Sequence, residues 1–172
     1  MTETFSAQSL PLARADRYAQ LAQEIAAVLE GETNLIARMA SVTAMLSATF
    51  SHFFWTGFYL VDPLRDRELV VGPYQGTLGC LRIAFDRGVC GAAATQRRTL
   101  IVTDVLAFPG HIACDAASRS EIVVPVFAPD QSLVGVLDVD ATTLAAFDGV
   151  DARGLEVIVE LICGAGFSQA AS

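Results

Sequence analysis

A chain of 172 residues, 53% apolar and only 17% charged, is long enough to build one domain around a full core and too apolar to be disordered over most of its length. Its formal net charge of −8 argues against nucleic acid, which needs a clustered basic surface that the single adjacent pair Arg97–Arg98 does not supply. No apolar run reaches the roughly 18 residues of a membrane helix, and the start "MTETFSAQSL" carries neither the basic cluster nor the apolar stretch of a signal peptide, so we read the chain as cytoplasmic and away from membranes.

Residues 12–30 read as a helix, with Tyr18, Leu21, Ile25, Val28 and Leu29 on one face and Gly31 just past the end. A second helix is predicted from about Asn34 to Phe50, its stripe being Leu35, Met39, Val42, Leu46 and Phe50. "WTGFYLV" and "ELVVGPY" then form a hairpin around the polar loop "DPLRDR", and "GCLRIAF" a third strand. "GVCGAAATQ" is a glycine-flanked turn into a short helix, and "TLIVTDV" another strand. Residues 106–120 form a long loop. "EIVVPVFA" and "SLVGVLDVD" make a second hairpin around "PDQ". Asp148 caps a closing helix whose stripe includes Leu155, Ile158, Val159 and Ile162. The order implies an α+β domain. A largely antiparallel sheet of about six strands should carry the terminal helices on one face and residues 76–120 over the other. A ligand pocket belongs between the sheet and that cover.

In a reducing cytosol each of the four cysteines is buried filler, a metal ligand or a working thiol. Cys114 is the candidate nucleophile. His111 lies three residues before it and Arg119 five after, and cationic neighbours favour a thiolate. A thiol merely packed under the loop fits the same sequence. Cys80 falls in an apparent strand and Cys90 opens the short helix, where exposed N–H groups favour a thiolate. Either could attack an oxidised Cys114, and either could be small apolar filler. Cys163, on the closing helix, reads as filler. Cys80, Cys90, His111 and Cys114 number enough for zinc, but there is no C-x-x-C pair and only one H-x-x-C half, so no metal is expected. Glu121 opens a strand just after the cysteine loop. The two-residue spacing of Asp138 and Asp140 points both carboxylates to one face of the sheet, as the four-residue spacing does for Trp55 and Tyr59. An acid inside an apolar strand is costly without a partner, which marks Asp138, although a water-facing Asp138 and a strand-ending Asp140 stay open.

"WTGFYL", "GPYQGTLGC", "GVCGAAA", "FPGHIACD", "SEIVVP" and "GVLDVD" occur in that order, after an N-terminal helix ending "LEGETN". Over about residues 14–167 the chain thereby resembles the free methionine-(R)-sulfoxide reductases, single-domain GAF-fold enzymes. The resemblance implies one GAF domain over 1–172, with 1–12 and 168–172 flexible. It implies reduction of free L-methionine (R)-sulfoxide without a cofactor, through a cysteine sulfenic acid and an intramolecular disulfide that thioredoxin recycles. By resemblance Cys114 is the catalytic cysteine, Cys80 the principal resolving cysteine and Cys90 a third with a less settled role. Glu121, Asp138 and Asp140 match carboxylates that bind substrate or assist the reaction, and Trp55 and Tyr59 match pocket aromatics. The family tends toward homodimers, which apolar helix faces at both ends of the chain allow. Leu106 and Gly79 stand where the family pattern suggests His and Ala. The rival reading is a GAF domain that senses a small ligand without catalysis.

Overall fold

The computed structural model describes residues 13–111 and 114–164. The ends expected to be flexible lie outside them. Two helices come first, α1 (Arg14–Val28) and α2 (Leu35–Thr49). Strands β1 (Trp55–Val61), β2 (Glu68–Gln75) and β3 (Arg82–Ala84) follow, then the short helix α3 (Gly88–Gln96). Strand β4 (Leu100–Val102), a single 3₁₀ turn at Val105–Ala107, strands β5 (Ser120–Phe127) and β6 (Leu133–Ala141), and α4 (Gly149–Ile162) complete the order. The strands form one sheet, β3-β2-β1-β6-β5-β4, and every neighbouring pair is antiparallel. This is the expected α+β architecture, and its central strands β1, β6 and β5 are apolar enough to be covered on both faces.

Two cores lie on opposite sides of the sheet. Behind it, Tyr18, Ile25, Met39, Leu46, Leu155 and Ile158 of the long helices pack on Phe58, Ile122 and Leu137. In front, α3 and the flanking loops pack on Trp55, Tyr59, Val123 and Val136. Alternation along each strand does the sorting, since successive side chains point to opposite faces. Val28 departs from the predicted stripe of α1. It is 56% exposed, because the buried face closes on Leu29 instead. The predicted strand over 99–105 is confined to three residues, since Asp104 caps the 3₁₀ turn by accepting from the Leu106 N–H at 3.1 Å. Asp148 caps α4 as predicted. Its carboxylate accepts from Val150 N–H at 2.7 Å, and Asp151 reaches back to the Asp148 N–H at 2.9 Å.

Candidate active site

The front of the sheet and its cover enclose a cavity of about 520 Å³, open mouth included. Its back wall comes from three adjacent central strands. Glu121 on β5 stands opposite Asp140 on β6, Trp55 on β1 stands opposite Asp140 from the other side, and Gly57 and Val123 flank Asp138. The period of two therefore places Trp55, Tyr59, Glu121, Asp138 and Asp140 on one face, as expected, and all five line the cavity. The aromatic wall is a stack. The Trp55 ring lies 5.7 Å from that of Tyr59 and 5.1 Å from that of Tyr74, with interplanar angles of 19° and 17°. Gly57 makes this possible. A Cβ there would lie 2.5 Å from Trp55 Cη2, inside the ring the position must accommodate. Gly79, on the opposite loop, comes almost as near, since a Cβ there would stand 3.0 Å from Trp55 and 3.1 Å from the Tyr59 hydroxyl.

At the cavity rim Cys80 and Cys114 are joined as a disulfide, with Cα atoms 5.3 Å apart and a sequence separation of 34. Cys80 lies in the loop before β3 and not in a strand as predicted. The short β3 begins only at Arg82, and the preceding segment folds over the aromatic wall. Two hydrogen bonds hold it there. Trp55 Nε1 donates to the Thr77 carbonyl at 2.9 Å, and the Thr77 hydroxyl donates to Asp115 at 2.6 Å. The two cysteine loops are thus tied to each other beside the disulfide. Sequence reasoning missed Gly57, Thr77 and Asp115. Only Asp115 left a signal, an aspartate placed to accept from the N–H two residues on, which it does from Ala117 at 2.8 Å.

Cys90 is buried in the cavity wall, its Sγ 3.9 Å from Glu121 Oε1. The Cys90 sulfur and carboxylate oxygens of Glu121 and Asp138 all lie within 4.8 Å of one another. This corrects the expectation of a thiolate at the helix start. Burial foremost, then the charges of Asp138 and Glu121, push the Cys90 thiol well above its ordinary value. The helix terminus cannot offset a site this dry and this negative. The cationic surround expected for Cys114 is also not assembled. His111 lines the cavity, but burial lowers its pKa and keeps it neutral, and Arg119 is not among the lining residues. Cys80 and Cys114, bonded to each other, have no thiol to offer a metal in this oxidised state.

The acids are the strongest electrostatic feature. Asp138 is 6% exposed, so it does not face water, and its Oδ1 has no hydrogen-bond partner among the described residues. Burial raises it to about 6, against the lowering effect of bonds to Cys90 and Glu121. Glu121 rises well above the ordinary carboxylate range through burial and then the nearby Asp138 and Asp140 charges. Asp140 rises for the same two reasons, burial first and Asp138 second. Tyr59 is pushed up by burial and then by Asp138, so its phenol stays protonated. The cavity wall therefore gathers three carboxyl groups that burial pushes toward the protonated form, beneath a sulfur pair at the rim.

A family model described as "GAF domain" matches residues 32–164. The chain is 49% identical over 147 residues to "GAF domain-containing protein A" of Dictyostelium discoideum, covering 86% of this chain and 90% of that one. It is 43% identical over 142 residues to the free methionine-R-sulfoxide reductase of Escherichia coli, covering 83% and 84%. The X-ray structure of free methionine-R-sulfoxide reductase from Neisseria meningitidis in complex with its substrate matches with a TM-score of 0.83 at 45% identity, over 94% of this chain and 92% of that one.

Proposed function

This chain belongs to the free methionine-R-sulfoxide reductase family of GAF-domain proteins, and we propose that it reduces free L-methionine (R)-sulfoxide in the cavity below the Cys80–Cys114 disulfide. The observation that carries the reading is the joining of that sulfur pair, at the rim of a cavity whose wall holds two buried carboxyl groups, Glu121 and Asp138, and a partly buried third, Asp140. In the reduced protein the Cys114 thiolate attacks the sulfoxide sulfur. Glu121, protonated by virtue of its burial, gives its proton to the sulfoxide oxygen as the new S–S bond forms. The adduct collapses to methionine and a Cys114 sulfenic acid, which keeps the oxygen. Cys80 attacks this sulfenic sulfur and releases water, leaving the disulfide. A dithiol of the thioredoxin type, abundant in the cytoplasm, returns both cysteines to thiols by exchange.

Selection of the free amino acid follows from charge. Asp138, with an unpartnered buried oxygen, and the adjacent Asp140 suit an ammonium group. Trp55 and Tyr59 pack against the aliphatic part. A methionine residue within a peptide has no ammonium group and would leave those carboxylates unpaired in a dry site. Val28 and Val157, each at least half exposed on the terminal helices, support pairing of two copies there. Turnover is tested by NADPH consumption with thioredoxin, thioredoxin reductase and the separate R and S epimers. The R epimer alone should be consumed, and Cys114→Ser should abolish it. An idle wild type with fully reduced thiols would overturn the enzyme reading.

A further inference from the structure

We propose that Leu78 and Leu81, on either side of Cys80, form an apolar docking collar for the dithiol protein that reduces the Cys80–Cys114 disulfide. The inference rests on the reading of that disulfide as the oxidised state of the catalytic cycle. Leu78 is 76% exposed and Leu81 70% exposed, among the most exposed large apolar side chains described. A leucine exposed alone needs no explanation. These two bracket a redox sulfur, in the uncharged stretch "GTLGCL", on a chain whose net charge is −8. The cation next in sequence, Arg82, is engaged by Asp62 and by Glu68 at 2.7 Å, so it does not offset the apolar character of the stretch. The collar adjoins β3, one of the two edge strands of the sheet, where another chain can approach without meeting a neighbouring strand.

The occupant must be a protein that carries two thiols beside an apolar surface. The disulfide consumes two electrons and two protons per cycle, and the cavity below it, about 520 Å³ with its open mouth, is far too small to admit a folded protein. A protein reductant must therefore settle on the rim. Of the two cysteines Cys114 is exposed and Cys80 partly buried, so a partner thiolate attacks the Cys114 sulfur. A partner–Cys114 bond forms, the Cys80–Cys114 bond breaks, and Cys80 leaves as a thiolate that takes up a proton. The partner's second thiol then attacks its own bonded sulfur, Cys114 leaves and is protonated, and the partner carries away the disulfide. Redox encounters of this kind use small interfaces, in which two leucines are a large share of the apolar contact.

The test uses the oxidised wild-type protein and Leu81→Asp, because Leu81 does not line the cavity. Each is mixed with reduced thioredoxin, and separately with dithiothreitol, and disulfide reduction is followed in time. For Leu81→Asp the second-order rate with thioredoxin should fall about tenfold. The dithiothreitol rate should stay within about twofold of wild type, and Leu81→Met should restore the thioredoxin rate. A thioredoxin rate unaffected by Leu81→Asp would overturn the collar, as would a parallel loss with dithiothreitol, which would place the effect in the disulfide itself. Because this assay reads disulfide reduction without sulfoxide, failure of the collar is separate from failure of the enzyme reading, which shows as no sulfoxide turnover with either reductant.

Discussion

Asp138 is where the fold and the site oppose each other. Its folded value of about 6 stands above the ordinary carboxylate value of 3.8, with burial the main cause, so folding favours the protonated form. The contribution of that form to stability is fully present below the ordinary value and is lost as pH rises through about 6. At neutral pH the protein thus holds a buried charge, with an unpartnered oxygen, that no apoprotein needs. Asp138→Asn removes the charge at nearly constant shape. Its melting temperature should exceed that of wild type at about pH 7.5, and the gain should vanish by about pH 4.5, as differential scanning calorimetry at the two values checks. The same variant should raise KM for the sulfoxide at least about tenfold at neutral pH, since the ammonium partner is gone. A melting temperature lowered equally at both pH values would mean that Asp138 serves packing alone.

The elements divide the labour. The carboxylates and the stacked aromatics sit on β1, β2, β5 and β6, each paired on both sides, while both sulfurs of the disulfide sit on connecting loops. Loops can be drawn together only by contacts of their own, and the Thr77–Asp115 hydrogen bond is such a contact. Removing it with Thr77→Val should cost about 1 kcal/mol of loop juxtaposition, or about fivefold in the rate of disulfide closure, with KM unchanged. Trapping the sulfenic acid with dimedone after one turnover measures that rate. The strand-borne part of the site was legible in the sequence, because a period of two fixes which side chains share a face and needs no knowledge of neighbours. Trp55 with Tyr59 and Asp138 with Asp140 follow from spacing alone. The loop-borne part was not legible at the same level. Which cysteine pairs with Cys114 depends on where two loops of no regular period meet, and only family resemblance nominated Cys80. Cys90 misled for a related reason. The helix start was read correctly, but the acids that surround the thiol come from β5 and β6, more than 30 residues away.

At the scale of the molecule, the two cores make the helical side a scaffold and the front side a cover. The disulfide closes a 34-residue span of that cover, through β3, α3 and β4. Cross-linking a span of this length restricts the unfolded chain by an amount worth about 4 kcal/mol on the loop-entropy model. The oxidised protein should accordingly melt at least several degrees above the reduced protein, and thermal unfolding with and without dithiothreitol reads the difference. Equal melting temperatures would mean that the cover is ordered independently of the bridge.

The chain has one tryptophan, and it is Trp55. Its indole stacks with two tyrosines, Tyr59 and Tyr74, and its N–H is held by the loop that carries Cys80. No other indole contributes to the emission of this protein, so its tryptophan fluorescence comes from the wall of the cavity. Occupancy of the cavity changes the polarity at one face of the ring, and movement of the Cys80 loop changes the partner of its N–H. The protein thus carries an internal optical reporter for both halves of its cycle, and binding and sulfur exchange can be timed in the unlabelled native chain.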